Sequence, residues 1–502
     1  MQKSVIEYLE KTVKALPNKD AVQDAEMKIT FSELWTNARK LASAIDCLVL
    51  RNAPVGVYIP KGCKMVESFA AINMSGNFYV PLDTKSPDTR VTSIITTLDA
   101  KCVITDQTHF TQLKSFYNGE IIVIEDVLSK TCDGINWKES LRYQIDTDPV
   151  YSIFTSGSTG TPKGVVIAHR GVIDYIDWAV DTFHIDHTSV IGNQAPFYFD
   201  NSTLDIYLMY ATGATLNIIP ESCFAFPAKL IDYLNDYQIN FVFWVPFVLV
   251  NVANMNILDS KKPEFLRDIF FAGEVMPNKH LNYWRKHLPN SRYVNLYGPT
   301  EITVDCTFYE VNRSFSDDEP LPIGIPCRNS DVMILVDRQR RAAKGEQGEL
   351  CVRGSSLALG YYNNPEKTAS AFIQNPLQNH FPETIYCTGD MVYENDYGEI
   401  MYVGRADAQI KHNGYRIELG EIETAILGTE MVDNCCVVYD FKNKKIVLYY
   451  QSATDLNMAD FRKAISTKIP RYMIPSEYHR EVMLRQNSSG KIDRAYYNKQ
   501  VG

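Results

Sequence analysis

The ten residues Thr155-Ser156-Gly157-Ser158-Thr159-Gly160-Thr161-Pro162-Lys163-Gly164 follow an apolar, strand-like run, Val150-Tyr151-Ser152-Ile153-Phe154. Glycines, hydroxyls and one lysine crowd into a short loop at a strand end. Glycine lets backbone N–H groups turn inward toward an anion, and hydroxyls and an ammonium add donors; a polyphosphate needs both. The spacing excludes two common phosphate loops. A Walker A loop reads G-x-x-x-x-G-K-[ST], whereas here Pro162 precedes the lysine and Gly164 follows it. A dinucleotide loop reads G-x-G-x-x-G, which this segment lacks.

The loop sits in a chain of alternating strand and helix patterns. Val55 to Ile59 reads as a strand, Met65 to Met74 as a helix, and Phe78 to Val80, Cys102 to Thr105 and Ile121 to Ile124 as strands. His169 to Phe183 has helical spacing, and Phe241 to Trp244, Ile269 to Ala272 and Tyr293 to Leu296 read as later strands. Such alternation predicts α/β layers, with ligands at strand ends. Residues 330–403 look β-rich, as in Val332 to Val336 and Glu349 to Val352. Beyond them, Gly420 to Leu427 and Met458 to Ile469 read as helices, and Asn434 to Asp440 and Lys445 to Gln451 as strands.

Composition narrows the function classes. A 502-residue chain is long enough for two or three domains. The net charge of −10, without a basic block, argues against nucleic acid as a partner. The first fourteen residues mix Glu7, Glu10 and lysines with apolar residues, unlike a signal peptide. The longest apolar run, Phe241 to Val250, contains Pro246 and suits a buried strand and helix start rather than a bilayer span. A cytoplasmic protein without a membrane partner is therefore expected. The eleven cysteines form no C-x-x-C and read as scattered, reduced core thiols.

Further segments accompany the loop: Phe199-Asp200-Asn201-Ser202, Asn295-Leu296-Tyr297-Gly298-Pro299-Thr300-Glu301, Gly348-Glu349-Leu350 through Gly360-Tyr361-Tyr362, and Tyr386-Cys387-Thr388-Gly389-Asp390. Gly404-Arg405-Ala406-Asp407 through Glu423, Pro470 to Pro475, and Gly490-Lys491-Ile492-Asp493-Arg494 close the series. Together and in this order they resemble the adenylate-forming superfamily of acyl-CoA synthetases, luciferases and adenylation domains of nonribosomal peptide synthetases. The resemblance implies an α/β fold with a large multi-sheet N-terminal domain carrying a β-rich subdomain, 1–403. A hinge at 404–407, centred on Asp407, and a small, mobile α+β C-terminal lid, 408–502, would follow.

It also implies ATP and Mg2+ as cofactors and a role for each motif. Thr155, Ser156, Gly157, Ser158, Thr159, Gly160 and Lys163 would hold the pyrophosphate, with Asn295, Tyr297 and Gly298 around adenine and Thr300 at the α-phosphate. Glu301 would bind the metal, Asp390 the ribose hydroxyls, and Arg405 ribose or phosphate with Tyr402 beside it. Lys491 would be the catalytic lysine of adenylation. Cys387 and Met391 depart from the usual arginine and leucine around Thr388-Gly389-Asp390, and Ser489 from the usual asparagine.

Asp200 is the residue that separates acid classes, because amino-acid-activating members place an aspartate there to pair with the substrate ammonium. Its bland alternative is a helix cap. The family's pocket positions map onto Asp200, Asn201, Leu204, Trp244, Phe270, Ala272, Leu296, Val304 and Asp305. The bulk of Trp244 and Phe270 predicts a small amino acid of the alanine, serine, glycine or threonine class, and Asp305 is suited to accept a bond from a substrate hydroxyl or amine. Only eight residues follow Arg494. The acceptor thiol is therefore expected on a separate phosphopantetheinylated carrier protein; an acyl- or aryl-CoA ligase is the alternative.

Overall fold

A computed structural model describes residues 2–130, 137–157, 162–405, 409–452, 455–486 and 492–501. The chain divides into two compact units. One comprises Met1–Leu82, Ala100–Ile153 and Val165–Ala406; the other comprises Asp83–Asp99, Phe154–Gly164 and Asp407–Gly502.

Two large sheets and the helices among them build the first unit. Among the described residues, the nine-stranded sheet runs in the order Ile325–Pro326, Thr307–Glu310, Arg292–Tyr297, Asp268–Phe271, Phe241–Trp244, Val190–Asn193, Thr215–Ile218, Asp20–Gln23 and Lys28–Thr30. Its middle strands pair in parallel and its outer ones antiparallel. The other sheet has Pro54–Tyr58, Phe78–Pro81 and Cys102–Thr105 side by side in parallel. The helices Cys63–Met74, His169–Phe183 and Asn201–Thr212 share one buried apolar cluster with both sheets. Helix Cys63–Met74 is accordingly buried all round. A third, antiparallel sheet centres on Gly348–Gly354 and Thr384–Glu394, which is the β-rich portion expected from the sequence.

The second unit is α+β. Asn434–Asp440, Lys445–Gln451 and Glu477–Glu481 form a sheet whose first pair is antiparallel and second parallel. Cys435 and Cys436 face opposite sides of it, each in a different apolar cluster, as alternation along a strand requires. Arg90, on the helix Asp88–Leu98, forms a buried ion pair with Glu421 of the helix Leu419–Leu427. The helix Met458–Ser466 stops short of Ile469, because Ile469 precedes Pro470 and the residue before proline avoids helical backbone. No described helix is long and apolar enough to cross a membrane.

His169 is fully buried, with Val5 N–H donating to its Nδ1 at 3.4 Å and the Gln144 amide 2.8 Å from its Nε2. Burial strips solvent from the imidazolium and lowers the pKa to about 3. An unfolded histidine binds its proton near pH 6.5. Between those values the unfolded chain holds a proton that the folded chain lacks, so this residue's contribution to stability falls as pH drops from about 6.5 toward 3. Replacing His169 with Gln should make the acid-side loss of stability shallower by about 1.4 kcal/mol per pH unit. Urea midpoints across pH 4 to 6 measure it, and parallel profiles for wild type and variant would contradict the assignment.

Candidate active site

The strand Arg292–Tyr297 leads into the first cluster of the site. Gly298 follows, where an added Cβ would lie 2.3 Å from the Val304 carbonyl oxygen, so only glycine fits. The chain then makes a short 3-10 turn over Thr300–Ile302. It returns through Thr303 (φ 55°) and Val304 (φ 73°), two β-branched residues in the left-handed region. Such backbone costs about 1–3 kcal/mol per residue. It is held by Thr303 Oγ1 donating to the Ser356 carbonyl at 2.7 Å and by Cys306 N–H donating to the Tyr297 carbonyl at 2.8 Å. Asn295 braces the same loop, donating from Nδ2 to the Pro322 carbonyl at 2.8 Å.

This strained loop carries Glu301, which is wholly buried and accepts a 2.8 Å hydrogen bond from the Tyr361 hydroxyl. Thr300 beside it is buried. A buried carboxylate is a hard oxygen donor of the kind Mg2+ takes. Asp390 is buried too, and the site's strands explain its setting. Its register partner on the neighbouring strand is Arg405, whose Nη1 donates to Asp390 Oδ1 at 2.9 Å. The Tyr297 hydroxyl donates to Asp390 Oδ2. Thr388 Oγ1 pins the segment to the Leu350 carbonyl, and Gly389 at φ 76° turns Asp390 inward. Burial pushes the Tyr297 phenol well above its ordinary pKa, so it remains a donor. Each Asp390 oxygen has a second lone pair for a diol. Tyr402 lies with its ring 6.4 Å from that of Tyr297.

Of the sequence-derived pocket residues, Leu204, Phe270, Ala272, Leu296 and Val304 meet in one buried cluster. Phe270 stands edge-on to Phe183 and Phe241, with ring centroids 4.6 and 4.9 Å apart. Trp244 does not join them. It packs with Val242 and Phe271 in a different cluster, and its indole N–H donates to the Gly192 carbonyl at 2.8 Å. Side chains alternate along a strand, so the residue on the Phe270 side is Phe243, which is fully buried there. Trp244 thus lies on the opposite face of its strand from the cluster that holds the other pocket candidates, and Phe243 lies on their face.

Asp200 and Asn201 are half-buried at the start of the helix Asn201–Thr212, and Leu204 lies one turn on. Asp200 occupies the cap position but makes no side-chain cap bond. Asp305 Oδ2 accepts from the Tyr175 hydroxyl at 2.6 Å, both groups being buried. Tyr175 was not legible as a site residue; the apolar face of helix His169–Phe183 gave no sign of it. Asp205, also unforeseen, is fully buried, accepts from Asn193 Nδ2 at 2.7 Å and is pushed by burial to a pKa of about 7.

In the second unit, Ser156 is buried and its hydroxyl donates to the Arg416 carbonyl at 2.7 Å. Thr155 Oγ1 is buried without a hydrogen-bond partner among the described residues, a hydroxyl suited to a ligand oxygen. Gly157 is buried and Lys163 opens the strand Lys163–Ala168. Ser158, Thr159, Gly160, Asp407 and Lys491 lie outside the described residues. Next to Lys491, Arg494 donates through Nη2 to both Glu423 oxygens at 2.6 Å, and Asp493 N–H to the Arg485 carbonyl at 2.8 Å.

The sequence profile of a family described as AMP-binding enzyme matches residues 9–362. The chain belongs to the AMP-binding enzyme family. Zwittermicin A synthase ZmaJ of Bacillus cereus is 30% identical to this AMP-binding enzyme over 98% of this chain and 94% of its own. The D-alanine–D-alanyl carrier protein ligase of Bacillus licheniformis is 30% identical over 99% of both chains. In fold, the AMP-binding enzyme resembles the Vibrio cholerae adenylation domain AlmE, solved with glycyl-adenosine-5'-phosphate. That match has a TM-score of 0.86 and 21% identity, covering 100% of this chain and 98% of the other. It is an adenylate-forming enzyme related to nonribosomal peptide synthetase adenylation domains and carrier protein ligases. AMP-binding enzymes use ATP, typically with Mg2+.

Proposed function

We propose that this enzyme activates a small amino acid as its aminoacyl-AMP and transfers the acyl group to the phosphopantetheine thiol of a separate carrier protein. The observation that carries the amino-acid reading is Asp200. It stands at the start of the helix Asn201–Thr212, whose next turn enters the apolar cluster of Phe243, Phe270, Leu296 and Val304. A carboxylate at this position can pair with a substrate α-ammonium, the role the resembling amino-acid-activating members give their aspartate. The ligase relative whose name specifies a carrier protein, similar over 99% of both chains, supports the acceptor.

In the first step a substrate carboxylate oxygen attacks the α-phosphorus of ATP, and pyrophosphate leaves. Negative charge builds on the phosphates, where cations and N–H donors stabilise it. We assign Lys163, Thr155, Ser156 and the glycines of their loop to the pyrophosphate, Thr300 to the α-phosphate, and Asp390 with Tyr297, Tyr402 and Arg405 to the nucleoside. Glu301 would hold Mg2+, which would supply charge neutralisation at the phosphates. Lys491 would bridge the substrate carboxylate and the α-phosphate. In the second step the thiol attacks the acyl carbon and AMP leaves. Residues 408–502 would act as a lid turning about Asp407, presenting different faces in the two steps.

An ATP–pyrophosphate exchange screen over amino, fatty and aryl acids tests the first step. Intact-mass measurement with carrier proteins or CoA as acceptor tests the second. Strongest exchange with alanine, serine, glycine or threonine, followed by a loaded carrier, is expected. Preference for an acid without an amine, or faster thioester formation on CoA than on every carrier, would refute the reading.

Pocket size is tested by a pair of variants. Phe243→Ala should admit larger amino acids, relaxing discrimination by about 1–3 kcal/mol. Trp244→Ala should instead lower stability by about 3–5 kcal/mol and leave the order of preferred substrates unchanged. Exchange rates and unfolding midpoints for the two variants separate these outcomes; a change of preference in the tryptophan variant alone would restore Trp244 to the wall.

A further inference from the structure

Cys387 stands out because its motif ordinarily carries arginine there, and the nucleotide chemistry gives it no task. In the third sheet it lies directly across from Cys351, its register partner on the adjacent strand. The two thiols are buried, with Cys351 Sγ donating to Cys387 Sγ at 3.5 Å. Met333, Leu335 and Ile385 wall them in. A carboxylate completes the group: the side-chain ligand atoms of Glu349, Cys351 and Cys387 all lie within 4.8 Å of one another. Glu349 is oriented by Arg338, which donates from Nε at 2.6 Å and from Nη2 at 2.9 Å, and by the Gly389 N–H at 2.8 Å.

We propose that Cys351, Cys387 and Glu349 form a binding site for a thiophilic, closed-shell divalent cation of the zinc class. Three arguments converge. Tetrahedral ligands at zinc–sulfur distances of about 2.3 Å stand about 3.8 Å apart along the edge, so the observed sulfur separation needs only a few tenths of an ångström of adjustment. Mixed thiolate and carboxylate ligands suit zinc-class ions, and a fourth position remains for water. Charge also closes: two thiolates and one carboxylate are balanced by the divalent ion and the Arg338 guanidinium, so the occupied site buries no net charge. On binding, each thiol releases its proton to solvent and forms one metal–sulfur bond, while a Glu349 oxygen moves in without leaving Arg338 entirely. The site lies three residues before Asp390 on the same strand, and Glu349 already holds the Gly389 N–H.

The test is titration of the reduced, metal-free full chain with Co2+ and Cd2+. One ion per chain is expected, with the intense visible bands of tetrahedral cobalt and a thiolate charge-transfer band for cadmium. Cys351→Ser and Cys387→Ser should each weaken binding at least ~100-fold and Glu349→Gln about 10-fold. Cys435→Ser and Cys436→Ser should leave binding unchanged. The cobalt spectrum of the unmodified protein needs no variant to fold. A weak octahedral spectrum, affinity unchanged in Cys351→Ser, or a reduced protein that binds neither ion and instead closes the pair to a disulfide under peroxide would overturn the proposal.

Discussion

Replacing Lys491 with alanine should lower adenylate formation at least ~100-fold, about 2.7 kcal/mol of transition-state stabilisation, while transfer from preformed adenylate changes far less. The asymmetry follows from where charge develops. In the first step the carboxylate and the α-phosphate, both anionic, must approach one another, and an ammonium between them is most valuable as the new bond forms. In the second step that bond already exists. Lys491 lies outside the described residues, but the motif around it is anchored. Arg494 grips Glu423, and Asp493 pairs with the backbone of Arg485. Lys491→Arg should recover little, because a planar guanidinium cannot occupy the position of a compact ammonium. Single-turnover measurement of each half-reaction decides the matter; equal losses in both would remove Lys491 from the assigned role.

Asp200→Asn should weaken amino-acid use by about 2–5 kcal/mol, since it leaves the buried substrate ammonium without its counter-charge. The substitution conserves the shape of the side chain and removes only its charge. The effect should fall mainly on the amino-acid KM and kcat/KM, with ATP binding little altered. Wild-type kinetics in the variant, or activity confined to acids lacking an amine, would overturn the substrate class.

Much of the architecture was legible because its elements are locally coded. Phe241–Trp244, Asn434–Asp440 and Lys445–Gln451 are apolar runs bounded by polar breaks, and His169–Phe183 has its apolar residues at helical spacing. The short runs are marked as strands by their length and their β-branched and aromatic residues, and the long one as a helix by its spacing. Glu301, Asp390 and Arg405 were singled out by their motifs, and the structure brings Asp390 and Arg405 into direct contact. The faces were harder. Trp244 and Phe243 are adjacent in sequence, yet a strand sends them to opposite sides, and a shift of one residue exchanges the faces.

The sequence by itself determined the family, the order of its motifs and most strands and helices, because these depend on residues near one another in the chain. Only the tertiary structure decided that Phe243 rather than Trp244 shares the apolar cluster of Phe270 and Leu296, that Tyr175 reaches Asp305, and that Thr303 and Val304 adopt left-handed backbone just before it. It alone set Cys351 against Cys387 and grouped residues 83–99 and 154–164 with the C-terminal segment. The physical reason is common to all of these. Strand register, packing between distant elements and strain held by remote hydrogen bonds are properties of pairs far apart in sequence, and no local pattern encodes them.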